Sequence, residues 1–352
     1  MRDRFGSLRH PSLSRNRARN RGRGGWGWSK LIAIAALAVV TSSACAAPAQ
    51  KLEDLIGAVV KIKAQINPEG TTVRGLGRDR EGSGILIDAD GLVLTIGYLM
   101  VEAYAAEIIT NDGHTVPATI VGYDHETGFG LLRAIEPLKA KPLPIGRSAD
   151  VKVNEVAVVA SGGGPNMVMP VTVVAKREFV GDWEYLVDEA LFTSPPHPAW
   201  SGAALISHEG KLVGVGSLAV GDAKEAKKDS PGNMFVPIDR LLPILGDLIA
   251  DGRPSGPGHP WLGLNTEERR DQLVVSRTTS GGPAEKAGID RGDVIVTING
   301  ETPKGLADFY RKLWSKDAGA VVALELLHRH SLQKLDVKSI NRLDHLKMKS
   351  SF

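Results

Sequence analysis

Four histidines lie between residues 52 and 250 of this 352-residue chain: His114, His125, His197 and His208. They are the side chains of that stretch able to exchange a proton near neutral pH. His197 stands four residues before Ser201, which opens the run Ser201-Gly202-Ala203-Ala204-Leu205. A serine hydroxyl is a poor nucleophile unless a base lies within hydrogen-bond reach and a carboxylate orients that base. Each histidine is a candidate base, but the plainer reading of all four is as surface-loop residues. The glycine-rich run Ser161-Gly162-Gly163-Gly164-Pro165 has the look of a phosphate loop, but no lysine follows it. Cys45 is the sole cysteine, which excludes an internal disulfide and a thiolate metal site. No cofactor and no metal is expected. The charge run Lys224–Asp229 reads as a solvated loop.

The elements that must position such groups are mainly β. Forty glycines point to turn-rich β structure, and the length suits two domains. The net charge of +3 is uneven: nine of the 43 basic residues, but only Asp3 of the 40 acids, lie in Met1–Lys30, so the remainder carries about −5. That body offers no nucleic-acid surface. Residues 1–49 have the parts of a secretory signal: a long basic region, the apolar run Leu31–Val40, and small-residue sites at Ala44-Cys45-Ala46 and Ala47-Pro48-Ala49. An uncleaved inner-membrane anchor stays open as the alternative.

Alternation at Val60, Ile62, Ala64 and Ile66 predicts a half-buried strand. Two apolar runs around Asp88-Ala89-Asp90-Gly91 predict a hairpin. Short strands follow at 106–110, 115–121, 130–133, 155–160, 171–176, 203–206 and 211–219, the spacing of a sandwich or barrel. A helix is expected over 237–250, closing a domain of residues 50–250, and 251–259 is a linker by composition. A smaller unit over 260–339 holds a short helix between Pro283 and Gly288, a strand over 293–298 ending in an Asn-Gly turn, a helix with Leu306, Phe309, Tyr310 and Leu313 on one face, and a strand over 321–327. Residues 340–352 form a basic tail expected to be loose.

Taken in order, these pieces resemble the HtrA-type family of trypsin-like serine proteases with a C-terminal PDZ domain. Gly82–Thr95 looks like the hairpin that delivers the catalytic histidine, Val121–Thr127 the segment running into the catalytic aspartate, and Ser201–Leu205 the nucleophile motif. Trp261-Leu262-Gly263-Leu264 and Ser280–Gly300 are similar to a bacterial PDZ domain. The resemblance implies two six-stranded Greek-key barrels followed by a PDZ domain, and a trimer as the expected oligomer.

It also implies that the triad has decayed. The histidine position falls on Tyr98 and the aspartate position on Gly128, while Ser201 remains. The oxyanion-hole glycine becomes Ala199, inside the proline-rich approach Ser194–Pro198. A tyrosine, with an ordinary pKa near 10, is protonated at pH 7 and takes the serine's proton poorly. Loss of the base costs about 10⁶-fold in turnover. Tyr98 is expected to plug the vacated space with its hydroxyl bonded locally.

For the PDZ unit, the resemblance implies that the amides of Leu262, Gly263 and Leu264 cradle the carboxylate of a peptide C-terminus. A pocket for the last side chain is lined by Leu262, Leu264 and the 306–313 helix. The alternative is a groove closed against the first domain. The function implied is an exported pseudoprotease binding peptides or unfolded polypeptides in envelope protein quality control. A serine endopeptidase with a non-standard base is the alternative, and a residual esterase-like hydrolase a third reading.

Overall fold

The computed structural model describes residues 52–225 and 228–348. The leader of residues 1–49 and the extreme end of the tail lie outside the described residues.

Strands β1 (Val59–Ile66), β2 (Asp79–Leu86), β3 (Leu92–Ile96), β4 (Ala103–Ile109), β5 (Thr115–Tyr123) and β6 (Phe129–Ala134) close a barrel in the order β1-β2-β3-β6-β5-β4. In β1, Ile62, Ala64 and Ile66 point inward while Lys63 and Gln65 are exposed, the period-two pattern of a strand with one face on a core. The β2–β3 hairpin turns where Asp88 Oδ1 accepts from the amides of Asp90 and Leu92. A second barrel is formed by β7 (Val156–Ala160), β8 (Val168–Gly181), β9 (Tyr185–Ser194), β10 (Ala204–Ile206), β11 (Leu212–Val220) and β12 (Gly232–Pro237), in the order β10-β11-β12-β9-β8-β7. One buried apolar cluster runs through both barrels, from Ile62 and Phe129 to Val215 and Leu241.

Two strands of the second barrel have no clear signal in the sequence. In β9 the apolar pattern breaks at Asp188-Glu189, and Glu189 has φ 51°. In β12 every residue is buried, so no polar alternation marks it. The helix expected from residue 237 starts at Leu242, because β12 runs through Pro237 and a 3₁₀ turn occupies Ile238–Arg240.

A five-stranded sheet follows, β13 (Leu264–Arg269), β14 (Gln272–Thr278), β15 (Val294–Ile298), β16 (Val321–His328) and β17 (Ser331–Lys338) in sequence order. Leu306, Phe309, Tyr310 and Leu313 of the Leu306–Leu313 helix are all buried against it. Each such side chain contributes about 1.5–3 kcal/mol relative to exposure.

The tail is held rather than loose over its described part. Ile340 forms a bridge with Trp261, and the Asn341 side chain caps the Arg342–His345 helix by accepting from the Leu343 amide. Arg342 reaches His125 Nε2 at 2.8 Å, and the Lys347 amide donates to Glu102 at 2.8 Å. Polarity suggested solvation, but these donors meet acceptors on the first barrel.

Candidate functional site

Ser201 sits in the loop between β9 and β10, pressed onto the first barrel. Its carbonyl accepts from the Ser83 amide of β2 at 2.8 Å, and the Gly202 amide donates to Gly216 O at 2.9 Å. Gly202 has φ 72°, and a Cβ there would lie 2.0 Å from Ser83 O, so only glycine fits this approach.

Tyr98 comes from the 3₁₀ turn Gly97–Leu99 at the end of β3. The turn is anchored by Arg80, whose guanidinium donates to Tyr98 O at 2.6 Å and to Thr72 Oγ1 at 2.8 Å. The Tyr98 hydroxyl donates to Ser217 O at 2.8 Å and lies 2.8 Å from Ser201 Oγ. Ser217 is available because the β11–β12 register shifts between Gly216 and Leu218 and leaves it in a bulge. With one proton committed to Ser217, the tyrosine oxygen accepts the serine proton. Burial pushes the Tyr98 phenol up to about 12, against the opposing pull of its hydrogen bonds. At pH 7 the phenolate fraction is then about 10⁻⁵, so Tyr98 holds the Ser201 hydroxyl in place and does not deprotonate it.

Gly128 has φ 79°, and the site where a side chain would begin lies 3.1 Å from the Tyr185 hydroxyl. That hydroxyl donates to Thr127 O at 2.9 Å. The nearby Asp124 carboxylate is used locally, accepting from the Thr127 amide and hydroxyl and from the Glu126 amide. No carboxylate is presented at Gly128.

The histidines divide. His114 and His208 are exposed, while His125 is half-buried and His197 buried. His125 bonds Arg342 and the Tyr123 hydroxyl; burial, then the Arg342 charge, holds its pKa well below the usual value. His197 Nδ1 accepts from the Ala199 amide at 3.1 Å, and the His197 amide donates to Asn233 Oδ1 at 2.6 Å. Ser161 Oγ donates to Ala199 O. The Ala199 amide, expected to help form an oxyanion hole, is therefore spent on the imidazole inside its own loop. A proton acceptor at Nδ1 makes His197 neutral, and burial lowers its pKa.

The second candidate site lies at the start of β13. The Leu262 amide donates to Glu184 Oε2 at 3.0 Å and the Leu264 amide to Oε1 at 2.7 Å. Glu184 belongs to the turn between β8 and β9, in the second barrel. Its amide donates to the Tyr310 hydroxyl at 3.1 Å, and that hydroxyl donates to Gly181 O at 2.8 Å. Burial raises the Glu184 pKa to about 7, outweighing the amide bonds and the Arg342 charge. Leu262, Leu264, Leu306, Phe309 and Leu313 share one core with Leu186 and Val180 of the same hairpin. Of the two arrangements open to the sequence, the groove closed against the first domain is the one present. Glu184 and Arg342 gave no signal as site residues, since each reads locally as a turn or tail residue, whereas Tyr310 stands on the helix face expected to line the pocket.

Residues 82–215 match the trypsin-like peptidase domain family and residues 260–339 the PDZ domain family. The chain is 29% identical over 313 residues to serine protease PepD of Mycobacterium tuberculosis, covering 81% of this chain and 66% of that protein. It is 28% identical over 278 residues to a probable periplasmic serine endoprotease DegP-like of Pseudomonas putida, covering 73% of this chain and 55% of that one. It thus spans between about half and two thirds of the length of these relatives. A solved structure of the HtrA-type protease AlgW with decapeptide shares the fold, with a TM-score of 0.50 at 19% identity over 84% of this chain and 97% of that one. On these matches the chain carries a trypsin-like peptidase domain followed by a PDZ domain and is similar to HtrA-type serine proteases.

Proposed function

We propose that this chain is an exported pseudoprotease that binds peptide C-termini or unfolded polypeptides through its PDZ domain. The observation that carries the reading is the chain of hydroxyls at the nucleophile: Ser201 Oγ is 2.8 Å from Tyr98, which donates onward to Ser217 O. A serine protease needs a base at that place whose conjugate acid forms near neutral pH. Tyr98 at the histidine position and Gly128 at the aspartate position supply neither base nor orienting group. The engagement of the Ala199 amide by His197 supports the same reading, because residual catalysis in triad knockouts rests on an intact oxyanion hole.

Placement in the envelope is supported by the name of the periplasmic relative and by the signal-like leader. Peptide binding is supported by the PDZ match and by a solved relative of the same fold described with a decapeptide. A role in envelope quality control and assembly into a trimer follow from the family resemblance.

The test uses protein lacking residues 1–49, unfolded casein and a fluorophosphonate probe, with Ser201→Ala as the control. Equal inertness of wild type and variant supports the pseudoprotease. Labelling of Ser201, with casein cut only by the wild type, overturns it and makes this chain an endopeptidase with an unorthodox base.

A further inference from the structure

The PDZ groove holds the three-residue turn that joins β8 to β9 of this same chain. Two amides of one strand edge, Leu264 and Thr266, are two residues apart and so face the same side. The first donates to the Glu184 carboxylate at 2.7 Å, and the second donates to the main-chain carbonyl of Asp182 at 2.8 Å. Asn265 Nδ2 adds a contact to the Asp182 carboxylate at 3.3 Å. A carboxylate on backbone amides, followed by a main-chain carbonyl on the next amide of the same edge, is how an added strand with a terminal carboxylate is read. Here a side-chain carboxylate takes the terminal place.

The fit is built from several directions. Leu186 is buried within the core of the PDZ domain, and Val180 packs on it. Tyr310, from the helix across the groove, clamps the turn between Gly181 O and the Glu184 amide. Arg311 of the same helix pairs with Glu178 and Asp188 on the two hairpin strands. Glu184 is held at φ 56°, a left-handed conformation costing about 1–2 kcal/mol for a residue with a Cβ. The Gly181–Tyr185 pair closes the turn, and the last residue of a three-residue hairpin loop commonly takes that conformation.

An amide has one hydrogen. The Leu262 and Leu264 hydrogens are both directed at Glu184, so the carboxylate of an incoming peptide meets donors already engaged. Resting on the peptide-binding reading above, we propose that the β8–β9 tip is an internal ligand of the PDZ groove. Glu184 stands in for a chain-terminal carboxylate, and an external C-terminus enters only by displacing residues 181–184.

The experiment offers the immobilised full chain a pool of decapeptides randomised at their last four positions, with free or amidated C-termini. Retained peptides are identified by mass, and their Kd is measured on wild type, Glu184→Ala and Glu184→Gln. Backbone amide exchange is followed over residues 178–188. The expected result is retention of free carboxylates only, a Kd about tenfold or more lower for Glu184→Ala, a smaller gain for Glu184→Gln, and faster exchange at the tip of wild type when peptide binds. A docking equilibrium of about ten to one in favour of the tip gives that factor, since apparent affinity scales with the open fraction. If Glu184→Ala fails to fold, the near-isosteric Glu184→Gln carries the comparison. Equal Kd values with an unchanged tip overturn the internal-ligand proposal and leave peptide binding standing. Retention of no peptide by any of the three proteins overturns both.

Discussion

Tyr98 and Ser201 are joined hydroxyl to hydroxyl at 2.8 Å, and the tyrosine hydroxyl donates its own hydrogen bond to the carbonyl of Ser217. Removing that one oxygen leaves both the serine and the bulge carbonyl without their partner. Tyr98→Phe is expected to lower stability by about 1–3 kcal/mol, the cost of orphaning buried polar groups. Urea denaturation measures the change, and a loss below 0.3 kcal/mol by the same standard means the hydroxyl bonds are not holding this turn.

Restoring the two missing triad side chains is expected to be insufficient. In Tyr98→His with Gly128→Asp, the Ala199 amide still bonds His197. Fluorophosphonate labelling should stay near the level of Ser201→Ala. Adding His197→Gly frees that amide, and one oxyanion donor is worth about 10²–10³-fold. A triple variant that labels no faster than the double counts against the engaged amide as a separate block.

The Gly202 backbone is irreplaceable by the geometry of its contact. Gly202→Ala places a methyl 2.0 Å from Ser83 O at φ 72°, whereas Gly113→Ala, at φ 87°, meets nothing within 4 Å. Conformational strain alone costs about 1–2 kcal/mol, and overpacking adds about 1–3 kcal/mol. The Gly202 variant should therefore lose clearly more stability than the Gly113 variant, read as the difference in their urea midpoints.

Glu184 links stability to pH in the direction opposite to most carboxylates. Its pKa is raised by burial to about 7 in the folded chain, above an unfolded value near 4.5. The stabilising contribution is complete below the unfolded value and is lost as pH rises through 7. The charged and titratable groups near it are Tyr310 from the helix, Arg342 from the tail and His125, which bonds the Glu184 backbone. The depressed histidines, His125 among them, are neutral when folded but partly protonated when unfolded near pH 6.5, a contribution common to both proteins that cancels in their comparison. Between pH 6.5 and 8 the wild type should lose about 1 kcal/mol relative to Glu184→Gln. Parallel thermal melts of the two proteins across that interval, with no divergence, would contradict the assignment.

Arg342 is a half-buried cation that connects the tail to both barrels, touching His125 of the first and the Trp183 carbonyl of the second. Burial is the first reason that the His125 pKa is low, and the Arg342 charge is the second. Arg342→Leu is expected to raise it part of the way towards 6.5, as followed by NMR titration of the imidazole. Amide exchange at Trp261 and its neighbours should also quicken as the strap loosens.

The helix over Leu306–Leu313 and the β2–β3 hairpin are legible because each carries its signal within a few residues. The first has a 3.6-residue apolar stripe, and the second has two apolar runs around an Asp/Gly turn. The loss of histidine and aspartate side chains at Tyr98 and Gly128 is likewise visible from residue types, once the flanking motifs set the register. Strands β9 and β12 were harder, the first broken by charge at Asp188 and Glu189, the second buried throughout.

Residue identity by itself determined which chemistry is available: a serine with no matched base, and a glycine-centred loop able to receive a carboxylate. Tertiary structure decided how those groups are spent. The Tyr98 proton goes to a bulge carbonyl 119 residues away, the Ala199 amide goes to His197, and the Leu262 and Leu264 amides go to a carboxylate about 80 residues earlier. A donor's type is local, but its partner is set by which distant strands the barrels bring together, and only the closed fold specifies that.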